Sequence, residues 1–271
     1  MKREFIIVSM LFISFAGIAQ QDSTAGYPGN TDTDTSHLAS GKDHHWHGWH
    51  DWHHYPKHVK PSNLSTNWLV VDLGFSNYND RTDYSSAGAQ AFAPGSKDNW
   101  FHLKTNKSVN VNILIFMQRL NMIRHVVNLK YGLGAELNNY RYRDPVKYLT
   151  DPTKVILDSM TGYSKNKLAA DYITVPLLLN FNFTPNLRDG FGFSVGVSAG
   201  YLYSARQKLI SDQFGKKKTH DDFDLRPWKI SWIGELQLGP VKLYGSYATQ
   251  SMFKKGLDQI PYTVGVRLSN W

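Results

Sequence analysis

Apolar and polar positions alternate along most of the chain, most clearly from Tyr172 to Ser204. Ile173, Val175, Leu177, Leu179, Phe181 and Phe183 share one face of a predicted strand, with Thr174, Pro176, Leu178, Asn180 and Asn182 on the other. After a polar turn at Thr184 to Gly190 the period of two resumes. Phe191, Phe193, Val195, Val197, Ala199, Tyr201 and Tyr203 alternate there with glycine, serine and Leu202. Each strand matches the roughly ten residues that a tilted strand needs to cross a bilayer. A soluble barrel would fit its large side chains inside; here small and polar residues suit a narrow lumen and bulky ones suit lipid.

The same period predicts six further strands: Asn67 to Asn77, Ser108 to Gln118, Val126 to Asn138, Trp228 to Leu238, Val241 to Ala248 and Tyr262 to Trp271. The predicted outward set includes Leu69, Val71, Leu73 and Phe75, then Ile113, Ile115 and Met117, with Leu114 and Phe116 turned inward. Polar loops are expected at Tyr78 to Lys107, Asn139 to Lys167 and Ala205 to Pro227. The fold class is therefore all-β: an eight-stranded antiparallel transmembrane barrel whose first and last strands pair, leaving no edge in lipid. Short turns and both termini are expected in the periplasm, long loops outside. Trp68, Trp100, Tyr140, Tyr203, Trp228 and Tyr247 lie near predicted strand ends, as interface girdles do. Trp271 stands one residue out of register with Leu268.

Ahead of the strands, Lys2 and Arg3 precede an apolar run from Phe5 to Ile18, which predicts a signal peptide over 1–19 and export. Residues 20–63 are rich in Gly, Ser, Thr, Asp and His, the composition of a disordered periplasmic tether. The barrel is expected over 64–271. With no cysteine, the chain has neither disulfides nor thiol chemistry. Its net charge of +8 comes without a basic recognition element, so no nucleic-acid partner is expected. For an exported chain the fitting polyanion is lipopolysaccharide.

A family resemblance adds to this reading. Leu168-Ala-Ala-Asp-Tyr-Ile-Thr-Val-Pro-Leu-Leu-Leu179 resembles a strand of the PorT-like outer-membrane barrel proteins of Bacteroidota. Gly215-Lys-Lys-Lys218 leading to Asp222-Phe-Asp-Leu225, Tyr247 to Lys255, and Val264-Gly-Val-Arg-Leu268 before Trp271 are similar to that family's later segments. The resemblance covers Asn67 to Trp271 and implies an outer-membrane location, a porin-family barrel and, for some members, a place in secretion machinery.

Candidate chemistry is sparse. The inward set holds three acids, Asp72, Glu136 and Glu235, and three bases, Lys130, Lys242 and Arg267. In a narrow interior such charges are expected to pair and plug the lumen. His44, His47, His50 and His53 recur every third residue among Trp46, Trp49, Trp52 and Tyr55. That tract reads either as a solvated tether, as indoles at the membrane interface, or as loose ligands for Zn, Cu or Ni. No resident cofactor is expected. Lys216, Lys217 and Lys218 could bridge lipopolysaccharide phosphates or form a solvated loop. His102, Asp158, Ser159, His220, Asp221 and Asp222 match no motif that fixes catalytic geometry, so no enzyme is expected. The expected role is a monomeric barrel acting as scaffold or accessory of an envelope or secretion complex with a periplasmic or outer-membrane protein partner. The alternative is a small-solute or metal-handling protein using the histidine tract.

Overall fold

The computed structural model describes residues 62–187 and 190–269. The expected signal peptide, the His-Trp tract with His44, His47, His50 and His53, and Trp271 lie outside the described residues.

Eight strands form the wall: β1 (Leu64–Asp80), β2 (Val109–Ile123), β3 (Val127–Arg141), β6 (Tyr163–Asn182), β7 (Phe191–Ser211), β9 (Trp228–Leu238), β10 (Val241–Ala248) and β11 (Gln259–Leu268). Two small hairpin strands, β4 (Val146–Leu149) and β5 (Lys154–Leu157), and an extra strand, β8 (Gly215–His220), lie in the long connections. Each wall strand pairs antiparallel with its neighbours in the chain, and β1 pairs with β11 from Val71↔Leu268 to Asp80↔Gln259. The ring is closed, so no row of backbone donors and acceptors faces lipid.

Alternation orients the wall. Ile173, Val175, Leu177 and Leu179 are exposed on the outside, while Thr174, Leu178 and Asn180 are buried. Large apolar side chains cover the outer surface of every wall strand, which is inverted relative to a water-soluble domain and suits a hydrocarbon solvent. On the inner face, Gly74 and Gly265 lie opposite one another; a Cβ on Gly265 would meet Tyr244 Cε1 at 2.7 Å, so glycine here makes room for that ring.

Register shifts interrupt the alternation between Asn121 and Ile123 on β2 and where Asp171–Tyr172 meets Leu202–Ser204, and one further break is shared by the neighbouring strands β1 and β2. Leu69 takes φ of 59°, and on β2 the register against β3 shifts between Leu114 and Phe116. Trp68 and Leu69 are therefore both exposed on the outer face. Below the bulge, parity reverses: Met117, expected outside, is fully buried in the lumen with Val70, Leu114 and Leu178. Phe116, expected inside, packs edge-on against Trp68. An extra residue on a strand flips every side chain beyond it, and a simple period of two does not register one.

The long connections depart further from expectation. Residues predicted as polar loops fold into a cap with its own apolar core over the barrel end from which they rise. The core gathers Phe92, Phe101, Tyr140, Tyr142, Tyr148, Phe223 and Phe253 around Leu168, Leu225, Met252 and Leu257. Tyr140 is thus a core residue and Trp100 packs against the same core, so neither is a girdle residue. Trp68, Tyr203, Trp228 and Tyr247 are on the outer surface. A six-residue helix, α1 (Ala87–Phe92), is capped by Ser86 and brings Phe92 to Phe253 at 5.7 Å between rings. Gly256, with φ of 83°, lets the chain pass over Phe92, where a Cβ would stand 2.3 Å from that residue's own Cβ.

Candidate functional site

Two regions concentrate polar chemistry: the lumen, and the cap with the strands that rise into it. In the lumen, β1, β3, β9 and β11 each turn a charged side chain inward at nearby heights. Arg267 donates from Nε and Nη2 to the two oxygens of Asp72, at 2.7 and 2.8 Å, and from Nη1 to Glu235 at 2.8 Å. Lys130 closes on the other oxygen of Glu235 at 2.9 Å and also reaches Ser194 Oγ at 3.3 Å. Asn112 supplies Asp72 with a further donor at 3.1 Å. Asp72, Lys130 and Glu235 have side-chain exposures of 1% or less, so these charges depend on one another rather than on water.

Glu136 pairs with Lys229, a base outside the expected acid–base set. Lys229, at the start of β9, donates to Glu136 Oε1, which also accepts from Asn138 at 2.9 Å. Alternation already placed Lys229 inward between Trp228 and Ile230; its closeness to the strand end hid its role. Lys242, expected within the acid–base set, reaches the carbonyl and hydroxyl of Ser269 at 3.0 and 2.8 Å. A cavity of about 40 Å³ remains between Asp72, Glu136, Tyr244 and Arg267, room for a few waters at about 10–15 Å³ each. Tyr244 extends across the lumen and donates to Asn110 Oδ1.

Above the lumen the cap adds a second polar layer. Gln207 on β7 accepts from Tyr148 N at 3.0 Å and donates to Val146 O and Asn166 Oδ1, tying the small hairpin to the wall. Tyr142 and Tyr148 share a hydroxyl contact of 2.7 Å, and burial raises both phenols well above their usual range. They remain neutral and serve as packing with a polar end.

The remaining candidate residues do not converge. His102 is exposed after a 3₁₀ turn (Asp98–Phe101), and His220 is exposed at the end of β8 opposite Arg206. Asp158 accepts from Tyr163 at 2.7 Å, which lowers its pKa, and lies 3.7 Å from Lys147. Asp222 pairs with Lys254 at 2.8 Å, while Ser159 and Asp221 lie on separate turns. No three His, Cys, Asp or Glu side chains gather as metal ligands among the described residues.

Lys216, Lys217 and Lys218 belong to β8 rather than to a loop, and alternation divides them. Lys216 and Lys218 lie across from Ile210 and Lys208, whereas Lys217 lies across from Leu209, whose side chain turns into the cap. Lys167, above the lipid-facing part of β6, has its pKa pushed down to about 8, by burial first and then by Lys165, Arg206 and Lys208.

No curated protein matches the chain. The structure of Ail, the attachment invasion locus protein of Yersinia pestis, is similar over 75% of this chain and 98% of that one, at 9% identity and a TM-score of 0.30. The family described as outer membrane protein beta-barrel domain matches residues 63–249, which take in ten of the eleven strands and most of the cap. With a closed ring of eight strands, an apolar outer wall and a paired, polar lumen, the chain belongs to that outer-membrane β-barrel family.

Proposed function

We propose that this outer-membrane barrel is a non-enzymatic scaffold or accessory of an envelope or secretion complex, and that its lumen is plugged rather than conducting. The observation that carries the proposal is the filling of the lumen: Asp72, Lys130, Glu136, Lys229, Glu235 and Arg267 are paired across it and a cap core lies over one mouth. A barrel of eight strands is filled by its own side chains, and ion pairs held in a low dielectric resist opening. Conduction would require breaking them.

Connection lengths support an orientation with the cap outside and both termini in the periplasm. Only 124–126, 183–190 and 239–240 separate strands at one end, while the connections at the other end carry the cap. In that orientation the segment 20–63 is the one we assign to a periplasmic partner. The resemblance of Leu168 to Leu179 to the PorT-like strand supports a link to secretion machinery.

One preparation tests this. Protein extracted from outer membranes in mild detergent should migrate on native gels within a larger assembly, and deletion of 20–63 should release it as a lone barrel. The same material in planar bilayers should give no discrete conductance steps. A lone barrel without the deletion would overturn the accessory role; stable steps scaling with salt would overturn the plug.

A further inference from the structure

Where β6 and β7 rise past the membrane they form, with β3 and β8, a four-stranded sheet whose outer face is rich in cations. One cross-strand row reads Arg141↔Lys167↔Lys208↔Lys218. The neighbouring row away from the membrane places Lys165 and Lys216 on either side of Ile210. The row nearer the membrane holds Arg206 beside His220, and Arg206 is paired with Asp171. Among the described residues no acid pairs with Lys165, Lys167, Lys208, Lys216 or Lys218.

Like charges directly opposite one another destabilise a sheet. Three such contacts in one row, spread over about 14 Å at the usual strand spacing, leave a strong unbalanced field. Clustered cations of this kind are satisfied by an anion that bridges several of them.

The height of the rows selects among anions. Lys167 lies six residues beyond Ile173, the last lipid-facing residue of β6. At about 3.3 Å per residue and a tilt near 40°, the row stands about 15 Å above the hydrocarbon edge. Phospholipid headgroups extend only about 5–8 Å from that edge. An anion reaching the row must therefore project well beyond a phospholipid headgroup.

We propose that this face binds the phosphorylated oligosaccharide of an outer-leaflet glycolipid of the lipopolysaccharide type, with Arg141, Lys167, Lys208 and Lys218 bridging its phosphates and Lys165 and Lys216 extending the contact outward. The inference rests on the orientation proposed above, with the cap outside. Lys217, on the opposite face, takes no part.

The test uses full-length protein folded in zwitterionic detergent, titrated with purified lipopolysaccharide, with dephosphorylated lipopolysaccharide and with phosphatidylglycerol. Lipopolysaccharide should bind, and Lys167→Gln/Lys208→Gln/Lys216→Gln/Lys218→Gln should weaken binding at least tenfold while keeping a heat-dependent gel shift. Lys217→Gln should bind like wild type, and removal of phosphates should match the fourfold variant. Should the fourfold variant fail to fold, Lys208→Gln alone is expected to lose about threefold. Equal binding by wild type and the neutralised variants, an equal loss in Lys217→Gln, or equal binding of phosphatidylglycerol would overturn the inference. Orientation is read separately by labelling Lys216→Cys in intact cells with an impermeant maleimide. Absence of labelling there would overturn the orientation, whatever the binding result.

Discussion

Arg267→Ala is expected to destabilise the barrel by roughly 3–5 kcal/mol, the range for removing one partner from a buried ion pair. Arg267 touches both Asp72 and Glu235, and it does so from a side chain 6% exposed. Without it Asp72 keeps the amide of Asn112, a neutral donor, and Glu235 keeps Lys130. The β1–β11 seam that closes the ring would then carry an uncompensated charge, because Asp72 and Arg267 are direct cross-strand partners. Urea unfolding of the protein folded into lipid vesicles measures the loss. Asp72→Asn/Arg267→Met should recover much of it, since it removes the charge and its partner together while leaving Lys130–Glu235 intact. A loss below about 1 kcal/mol in Arg267→Ala would mean that the network is hydrated in solution.

Phe253→Ala should cost roughly 3–5 kcal/mol of cap stability, as truncation of a buried aromatic does. Phe253 is 1% exposed, lies parallel to Tyr148 with ring centres 6.2 Å apart, and meets Phe92 edge-on. Its loss opens a cavity where segments 81–108, 142–162 and 249–258 meet, while the ladder of the membrane wall keeps its pairing. Limited proteolysis is therefore expected to cut cap segments many times faster than in wild type, with the heat-dependent gel shift of the barrel retained. Simultaneous loss of that shift would show that cap and wall unfold together.

The wall was legible because a lipid-facing strand carries its environment in every second residue. Ile173 to Phe183 and Phe191 to Tyr203 declare their outward faces without reference to any partner strand. The bulge at Leu69 and Ile115 is a property of two strands together, so a period of two read along one strand predicts the wrong face for Met117. The cap escaped for a different reason. Its aromatics, Phe92, Phe101, Tyr142, Tyr148, Phe223 and Phe253, are scattered singly through polar sequence and gain a core only when four connections converge. Charged lumen residues were found from parity, but their pairing was not. Whether Glu136 meets Lys229 or Lys130 depends on register around a closed ring, which no single strand encodes. The lysine triplet misled in the other direction: adjacent in sequence, its members face opposite ways once β8 pairs with β7.

Closure of the ring within the outer membrane is tested most directly by a cysteine pair across its seam. The chain has no native cysteine, and Phe75 and Val264 are direct partners on β1 and β11 although far apart in sequence. Their Cβ atoms should lie about 4.5–5.5 Å apart. Phe75→Cys/Val264→Cys, treated in isolated outer membranes with a short thiol cross-linker, should yield an internally cross-linked chain of altered gel mobility. Phe75→Cys/Val195→Cys, with Val195 on β7, should not. Absence of the cross-link in the first pair, or recovery of the protein outside the membrane fraction, would contradict a closed outer-membrane barrel.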